Sequence, residues 1–281
     1  DEELLSGYGR CKKYGGYIVQ AEGNFFLGNK KFEVRGMEFG DMQPGHVLIK
    51  NMAAGICGSR FWRNIMKTIG LIGGMSWEST VTYYQIINEY VKEKLGGLHS
   101  AKILMYSVDF AEIEECQSSG DWDKSAQILG DAARSLEKGG ADFIVICTNT
   151  MHKVVPQISR YINIPILHIA DATADELEKN GIDNVALLGT KYTMTQDFYK
   201  ERLTARGISV MVPEGDDIEI FNDVIYKELC LGIVNDESRV KYQKIIGKMK
   251  DKGAKGVILG CTEIGLLISQ KDSVLPVFDT T

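Results

Sequence analysis

The sequence lacks several features that would assign it to other classes of protein. No apolar run in its 281 residues approaches the roughly 20 residues of a membrane-spanning helix, so we expect no membrane association. The net charge is −6 and no basic stripe occurs, which argues against a nucleic-acid partner. The first residues are acidic, so no signal peptide is indicated. None of the six cysteines forms a Cys-x-x-Cys motif, so neither a zinc knuckle nor a thioredoxin-type pair is predicted. We therefore expect a cytoplasmic chain with reduced thiols.

What is present is typical of a globular α/β protein, with 44% apolar and 25% charged residues. Residues 1–65 are rich in glycine and in short strand-like runs, whereas from Met66 onward apolar runs alternate with helical patterns. This alternation predicts parallel sheets flanked by helices. We predict a small β-rich N-terminal segment (1–65), a first Rossmann-like half (66–168, with 269–281 returning to it) and a similar second half (169–268). The site is expected in the cleft between the two halves.

One short unit occurs twice in the chain, as residues 140–150 and again as residues 253–263. Each copy has a Gly-Ala turn, an apolar run too short for a helix, and then Cys-Thr followed by a polar residue. The apolar runs predict buried parallel strands. Cys147 and Cys261 then fall at the carboxyl ends of strands, where open α/β sheets bind their ligands.

The spacing around this unit indicates an internal duplication. Gly73 precedes Cys147 by 74 positions, and Gly189 precedes Cys261 by 72 positions. Two halves of nearly equal length thus have the same order of elements, although few residues are identical. An approximate two-fold axis between them would bring both cysteines to one cleft.

Two thiols in one cleft suit proton transfer at a carbon next to a carboxylate. A thiolate on one face of that carbon removes a proton while a thiol on the other face supplies one. Each cysteine precedes a presumed helix, so we expect a lowered thiol pKa. A cysteine after a buried strand is equally typical of a small core residue, and the pattern alone leaves this alternative open. Candidate groups for holding a small carboxylate are the backbone of Met75 and Ser76 and the side chains of Thr148, Asn149, Thr150 and Thr262.

Residues 66–281 resemble the aspartate/glutamate racemase family, closest to its broad-specificity amino-acid racemase branch. The segments that carry the resemblance are residues 73–80, 97–100, 107–110, 114–117, 144–152, 168–173, 228–232 and 257–264. The resemblance implies a cleft between two Rossmann-like halves, a small amino-acid substrate and a homodimer. It also implies a reaction that uses neither pyridoxal phosphate nor a metal. Cys147 and Cys261 match the family's catalytic cysteines, and Met75, Ser76, Thr148, Asn149 and Thr150 match its substrate-contacting positions.

The resemblance also bears on which substrate is used. Aspartate racemases place an arginine after the second strand to bind the side-chain carboxylate. This chain has no arginine between Arg63 and Arg134, and Gln117 is the best candidate for that place. A neutral amide there favours neutral or mixed side chains over strict aspartate specificity.

Residues 32–59 resemble instead the start of the zinc-dependent medium-chain alcohol dehydrogenases. Cys57 matches a zinc ligand of that family, but one thiol cannot hold a zinc ion that needs three or four protein ligands. We expect no chemistry and no metal from this segment. The predicted function is a cofactor-independent amino-acid racemase. The alternatives are a hydantoin racemase, a maleate-type isomerase, or an inactive small-carboxylate-binding protein, the last because the family's C-terminal helix is missing.

Overall fold

The structure is a computed structural model that describes residues 3–6, 9–14, 17–27, 30–34 and 66–281. The chain divides into two compact units, residues 1–66 with 93–97, and residues 67–92 with 98–281. In the first unit, four strands form an antiparallel sheet in sequential order: β1 (Glu3–Ser6), β2 (Gly9–Tyr14), β3 (Tyr17–Leu27) and β4 (Lys30–Val34). Cys57 and most of the dehydrogenase-like segment lie outside the described residues.

The second unit begins with a four-stranded parallel sheet in the order β6-β5-β7-β8. Its strands are β5 (Ile69–Gly73), β6 (Ile103–Ser107), β7 (Phe143–Ile146) and β8 (Ile166–Leu167). The helices between them are α1 (Trp77–Leu95), α2 (Phe110–Ser119), α3 (Trp122–Lys138) and α4 (Val155–Ile158), with a 3₁₀ helix at Thr150–Val154.

A second parallel sheet follows in the order β10-β9-β11-β12. Its strands are β9 (Asn184–Gly189), β10 (Ser209–Met211), β11 (Gly256–Gly260) and β12 (Val277–Asp279). Its helices are α5 (Ile169–Lys179), α6 (Lys191–Thr195), α7 (Asp197–Thr204), α8 (Asp216–Lys227) and α9 (Asp236–Asp251), with 3₁₀ helices at Leu229–Leu231, Ile264–Leu266 and Gln270–Asp272.

The two sheets share one topology. Numbered within its own half, each sheet has the strand order second, first, third, fourth. The central strands β5 and β11 are buried at every residue, as expected for parallel strands covered on both faces. The predicted α/β architecture with two similar halves is therefore confirmed.

One predicted boundary is wrong. We expected residues 269–281 to return to the first half, but β12 pairs with β11, and Phe278 lies opposite Ile258 in the second sheet. This pairing follows from the internal duplication: in the first half the fourth strand, β8, likewise pairs with the third strand, β7. Thr280, just beyond β12, makes two hydrogen bonds to the first half, with Tyr83 and Asn149.

The helices expected directly after the cysteines are shorter than predicted. After Cys147, the 3₁₀ helix Thr150–Val154 leads into the single turn of α4, which carries Pro156 near its start. Pro156 has no N–H to donate, so it fits the first turn of α4 but not the interior of one long helix. After Cys261 only the 3₁₀ helix Ile264–Leu266 forms.

The described parts of the chain contain neither a membrane-spanning helix nor a cluster of metal ligands. None of their helices combines the length and apolar character needed to cross a bilayer. In the same residues, no group of three or more His, Cys, Asp and Glu side chains is placed to hold a metal ion.

Candidate active site

Cys147 and Cys261 occupy equivalent places, each directly after the third strand of its sheet. The Cys147 N–H donates to Ile72 O at 2.9 Å, which extends the pairing of β7 with β5 by one residue. The exposed fractions of the two residues are 0% and 7%. Both predicted thiols are therefore present at strand ends, but they are enclosed.

Enclosure sets the ionisation of both thiols. Burial raises the pKa of Cys147 from 9.0 to about 12. Burial also raises the pKa of Cys261 well above its ordinary value, and the nearby Glu263 carboxylate raises it further. The expectation of lowered thiol pKa values is wrong for this structure, because desolvation outweighs the dipoles of two short 3₁₀ helices.

Glu263 connects the two halves beside Cys261. Its Oε1 accepts from Ser76 N at 3.2 Å and from Ser76 Oγ at 2.9 Å. Its Oε2 accepts from Cys261 Sγ at 2.9 Å and from Thr262 Oγ1 at 3.0 Å. Glu263 is 2% exposed, and both of its carboxyl oxygens have hydrogen-bond partners, as a buried polar group requires.

Asn149 makes the corresponding connection beside Cys147. Its Nδ2 donates to Thr280 Oγ1 at 2.8 Å, and that hydroxyl donates to Leu259 O at 2.8 Å. Asn149 is 1% exposed, and its Oδ1 is buried without a hydrogen-bond partner. An acceptor left unpaired in a closed site is available for a donor on a ligand.

Tyr83 of α1 makes a further connection between the two halves. Its hydroxyl donates to Thr280 O at 3.3 Å. Burial raises the pKa of Tyr83 well above its ordinary value, and the charges of Cys147 and Glu263 add to this rise. Tyr83 is therefore a buried, neutral hydroxyl of the first half that donates to the segment following β12 in the second half.

Three threonine hydroxyls join the halves at a further point. Thr150 Oγ1 lies 3.0 Å from Thr190 Oγ1 and 3.5 Å from Thr193 Oγ1. Thr190 also caps α6, since its side chain accepts from the Thr193 N–H. Thr150, which was predicted to contact the substrate, thus contacts second-half residues in the segment after β9.

Gln117 lies where α2 meets the second half. Its Oε1 accepts from Tyr226 OH at 3.0 Å, its backbone carbonyl accepts from Tyr192 OH at 3.0 Å, and its Nε2 contacts Met151 Sδ at 3.1 Å. The residue is 4% exposed. Cys261 is among the groups whose charge raises the pKa of Tyr226, after burial. Gln117 is therefore held by two tyrosines of the second half.

The remaining predicted residues have mixed roles. The Met75 side chain packs in the core of the first half, so only its backbone faces the start of α1. Thr262 donates to Glu263. Thr148 is half-buried, and its carbonyl accepts from His152 Nδ1 at 2.8 Å.

Two buried histidines support this region from behind. His152 Nε2 accepts from Ile169 N at 3.2 Å, so Nδ1 carries the proton that it donates to Thr148 O. Burial lowers the pKa of His152 to about 4. His168 caps α5 by accepting from Ala170 N, and its ring lies 4.6 Å from that of His152, measured between centroids. Both histidines are neutral structural groups.

Sequence reasoning missed several residues of the site. Glu263 could have been found, because it follows Cys261 by two residues as Asn149 follows Cys147. The others carry no local signal, since they reach the site by packing between elements distant in sequence; they are Tyr83, Thr190, Thr193, Tyr226 and Thr280.

This arrangement of two cysteines at equivalent ends of two like sheets matches a known family. The family model for Asp/Glu/Hydantoin racemases matches residues 72–281. The chain belongs to this family. The family predicted from the sequence motifs is thus confirmed.

Individual relatives agree with this assignment. A candidate Asp/Glu racemase from Yersinia pestis is 56% identical, with a TM-score of 0.71, over 76% of this chain and 94% of that chain. An aspartate racemase homologue from Pyrococcus horikoshii OT3 is 39% identical, with a TM-score of 0.66, over the same shares. The broad specificity amino-acid racemase RacX of Bacillus subtilis (strain 168) is 23% identical over 228 residues, which cover 76% of this chain and 92% of RacX.

Proposed function

We propose that this protein is a cofactor-independent amino-acid racemase in which Cys147 and Cys261 exchange protons with the α-carbon. The observation that carries the proposal is the pair of thiols at equivalent strand ends of two like sheets, joined by hydrogen bonds between the halves. Family membership supports the same reaction class.

Each turnover moves one proton to a sulfur and one from a sulfur. The thiolate on one face takes the α-proton, the electron pair remains on the substrate as a carbanion, and the opposite thiol protonates that carbon from its other face. The roles of the two thiols are then reversed for the other enantiomer. The carbanion is spread onto the α-carboxylate, so fixed donors around that carboxylate lower the barrier.

The site offers hydrogen-bond donors for the α-carboxylate of an amino acid and an acceptor for its α-ammonium group. Ser76 N and Oγ converge at the start of α1 as donors for the α-carboxylate. Asn149 Oδ1, which has no partner, suits the α-ammonium group as an acceptor. Both thiols are enclosed, so we infer that the halves must separate to admit the substrate.

We propose broad specificity rather than a strict preference for aspartate. The side chain expected to meet the substrate's own side chain, Gln117, is an uncharged amide held by Tyr226. An amide cannot form the bidentate ion pair that an arginine forms with a carboxylate. The relative RacX, named as a broad specificity amino-acid racemase, supports the same choice.

We also propose a cytoplasmic homodimer. Helix α1 exposes Trp77, Val81 and Tyr84, by 65%, 54% and 51%, at the helical spacing that forms one face. An exposed apolar stripe of this kind suits association with a second copy. Light scattering coupled to gel filtration should give the mass of a dimer. A monomeric mass over the working concentration range would reject this part of the proposal.

The decisive experiment measures exchange of the α-proton in D₂O across a panel of amino acids and hydantoins, and follows the conversion of maleate to fumarate in parallel. We expect racemisation of several amino acids by the wild type, and none by Cys147→Ser, Cys261→Ser or the double variant. Cys116→Ser, which changes a buried thiol of α2, is the matched control and should remain active. Racemisation by the double variant would overturn the mechanism. Turnover of hydantoins or maleate, with no turnover of amino acids, would show that the substrate is not an amino acid.

A further inference from the structure

An internal carboxylate occupies the place that we assign to the substrate's carboxylate. Ser76 N and Ser76 Oγ, the two donors at the start of α1, both point at Oε1 of Glu263. A backbone N–H and a hydroxyl converging at a helix N-terminus form a typical carboxylate site. In this structure the Glu263 carboxylate therefore occupies a site that could bind the carboxylate of a substrate.

The other oxygen of the same carboxylate holds the thiol of Cys261. Oε2 accepts from Cys261 Sγ at 2.9 Å, and Thr262 is its second donor. Ser76, Glu263, Cys261 and Thr262 are between 2% and 7% exposed, so water screens these contacts little. One carboxylate therefore joins the proposed substrate cradle of the first half to a proposed catalytic thiol of the second.

We propose that Glu263 is a positioning residue that stands in for the substrate's carboxylate and couples substrate binding to the ionisation of Cys261. This inference rests on the proposed function. When the substrate's carboxylate takes the two Ser76 donors, Glu263 retains only the donors on Oε2. A carboxylate that loses hydrogen-bond donors becomes more basic.

The step that follows is a single proton transfer. The S–H bond of Cys261 breaks, its electron pair remains on the sulfur, and an O–H bond forms on Oε2 of Glu263. Net charge is unchanged, so the closed site does not gain a buried charge. The thiolate appears only when a substrate carboxylate is bound.

The other ionisable groups around this pair do not offer Cys261 a competing acceptor. The acceptor recorded for Cys261 Sγ among the described residues is Glu263. Burial raises the pKa of Cys230, Tyr226 and Tyr242, so these neighbours of Cys261 stay neutral. Burial likewise keeps Tyr83 neutral, and the charge of Glu78 acts on Cys230.

The direct test follows the ultraviolet absorbance of the thiolate in the Cys147→Ser variant, with 2-aminoisobutyrate as the probe. This amino acid has a carboxylate but no α-proton, so it can bind without racemising. We expect the probe to raise thiolate absorbance in Cys147→Ser and to leave it unchanged in Cys147→Ser/Glu263→Gln. No rise in Cys147→Ser itself would overturn the inference, and this arm does not depend on the folding of any Glu263 variant.

Kinetics supply the second readout. An amide cannot take the proton, so Glu263→Gln should lower kcat by roughly 10²-fold or more. It should also lower KM, because an uncharged group competes less well for Ser76. The pH profile should change from flat near neutrality to a rise through the alkaline range, where Cys261 must ionise alone. Glu263→Asp should recover part of kcat, and Glu201→Gln, an exposed carboxylate of α7, should match the wild type.

The outcomes separate this inference from the proposed function. Normal kcat and an unchanged pH profile in Glu263→Gln would reject the role of Glu263. If the single cysteine variants are inactive at the same time, the racemase mechanism still holds. Active single cysteine variants would instead reject the mechanism itself.

Discussion

Asn149 and Glu263 stand at equivalent positions in the two halves, and each reaches across to the other half. Asn149 follows Cys147 by two residues and donates to Thr280, whereas Glu263 follows Cys261 by two residues and accepts from Ser76. The two connecting side chains occupy equivalent positions, but one is a neutral amide and the other is a carboxyl group. The two thiols of this approximately symmetric site therefore sit beside an amide on one side and a carboxylate on the other.

Removing the Asn149 amide should weaken substrate binding more than removing its partner. Asn149→Ala deletes both the bond to Thr280 and the free acceptor Oδ1. We expect KM to rise about 10-fold or more, equivalent to roughly 1.4 kcal/mol of lost binding. Thr280→Val keeps Oδ1, so it should cost about 0.5–1.5 kcal/mol of stability with a smaller change in KM. Equal KM values for the two variants would contradict the role of Oδ1.

Alkaline unfolding should report the buried Cys147 thiol. This thiol has a pKa of about 12 in the folded chain and ionises near 9.0 when the chain unfolds. Between these values unfolding releases a proton, so the free energy of unfolding falls as the pH rises, by about 1.4 kcal/mol per pH unit for this group.

Urea titrations of the wild type and Cys147→Ser at several pH values would measure this term. Tyr83 and Cys261 remain in both proteins, so the difference between the two slopes isolates Cys147. We expect the slope of the variant to be shallower above pH 9 and the same below it. Parallel curves over the whole range would show that the thiol is not held protonated.

His152 should make the fold sensitive to acid. Its pKa is about 4 in the folded chain and 6.5 in the unfolded chain, so protonation of the unfolded chain lowers stability as the pH falls from 6.5 to 4. His152→Gln also loses its bonds to Thr148 and Ile169, which should cost about 1–3 kcal/mol at neutral pH. The difference in the free energy of unfolding between wild type and variant, measured with urea, should decrease as the pH is lowered from 6.5 to 4. A gap independent of pH would contradict this assignment.

Two glycine substitutions should have opposite effects on stability. An added Cβ at Gly260, the last residue of β11 before Cys261, would lie 2.7 Å from Leu187 Cδ1 and 2.9 Å from Leu188 O. Since a backbone oxygen cannot move aside, Gly260→Ala should destabilise the chain by about 1–3 kcal/mol and reduce activity.

Gly247→Ala is the matched control. Gly247 lies within α9, and an added Cβ there meets nothing within 4 Å. Alanine in a helix interior should stabilise the fold by about 0.5–1 kcal/mol. Thermal unfolding should place the melting temperature of Gly260→Ala below the wild type and that of Gly247→Ala above it. The reverse order would mean that β11 can shift to accept a side chain.

The sequence was enough to predict features that depend on residues close together in the chain. Short apolar runs bounded by glycine predicted the strands that precede Cys147 and Cys261, and these form as β7 and β11. It did not predict the sheet to which β12 belongs, because pairing of Val277 with Val257 leaves no local pattern. The prediction of lowered thiol pKa values was wrong, since the desolvation that raises them depends on tertiary packing.

The role of Glu263 shows the same limit most clearly. The residue was visible in the repeated unit, but its partner Ser76 is 187 positions away in the chain. No composition or periodicity links two residues at that separation. Only the packing of one half against the other gives the carboxylate its function.

The position of Thr280 has a consequence for how the protein is made. Its side chain connects Asn149 to Leu259, and its carbonyl accepts from Tyr83, so this late residue joins both halves of the site. A ribosome releases the chain from its N-terminus onward. A nascent chain that has emerged only as far as Cys261 therefore has both thiols but lacks the three hydrogen bonds that Thr280 makes across the site.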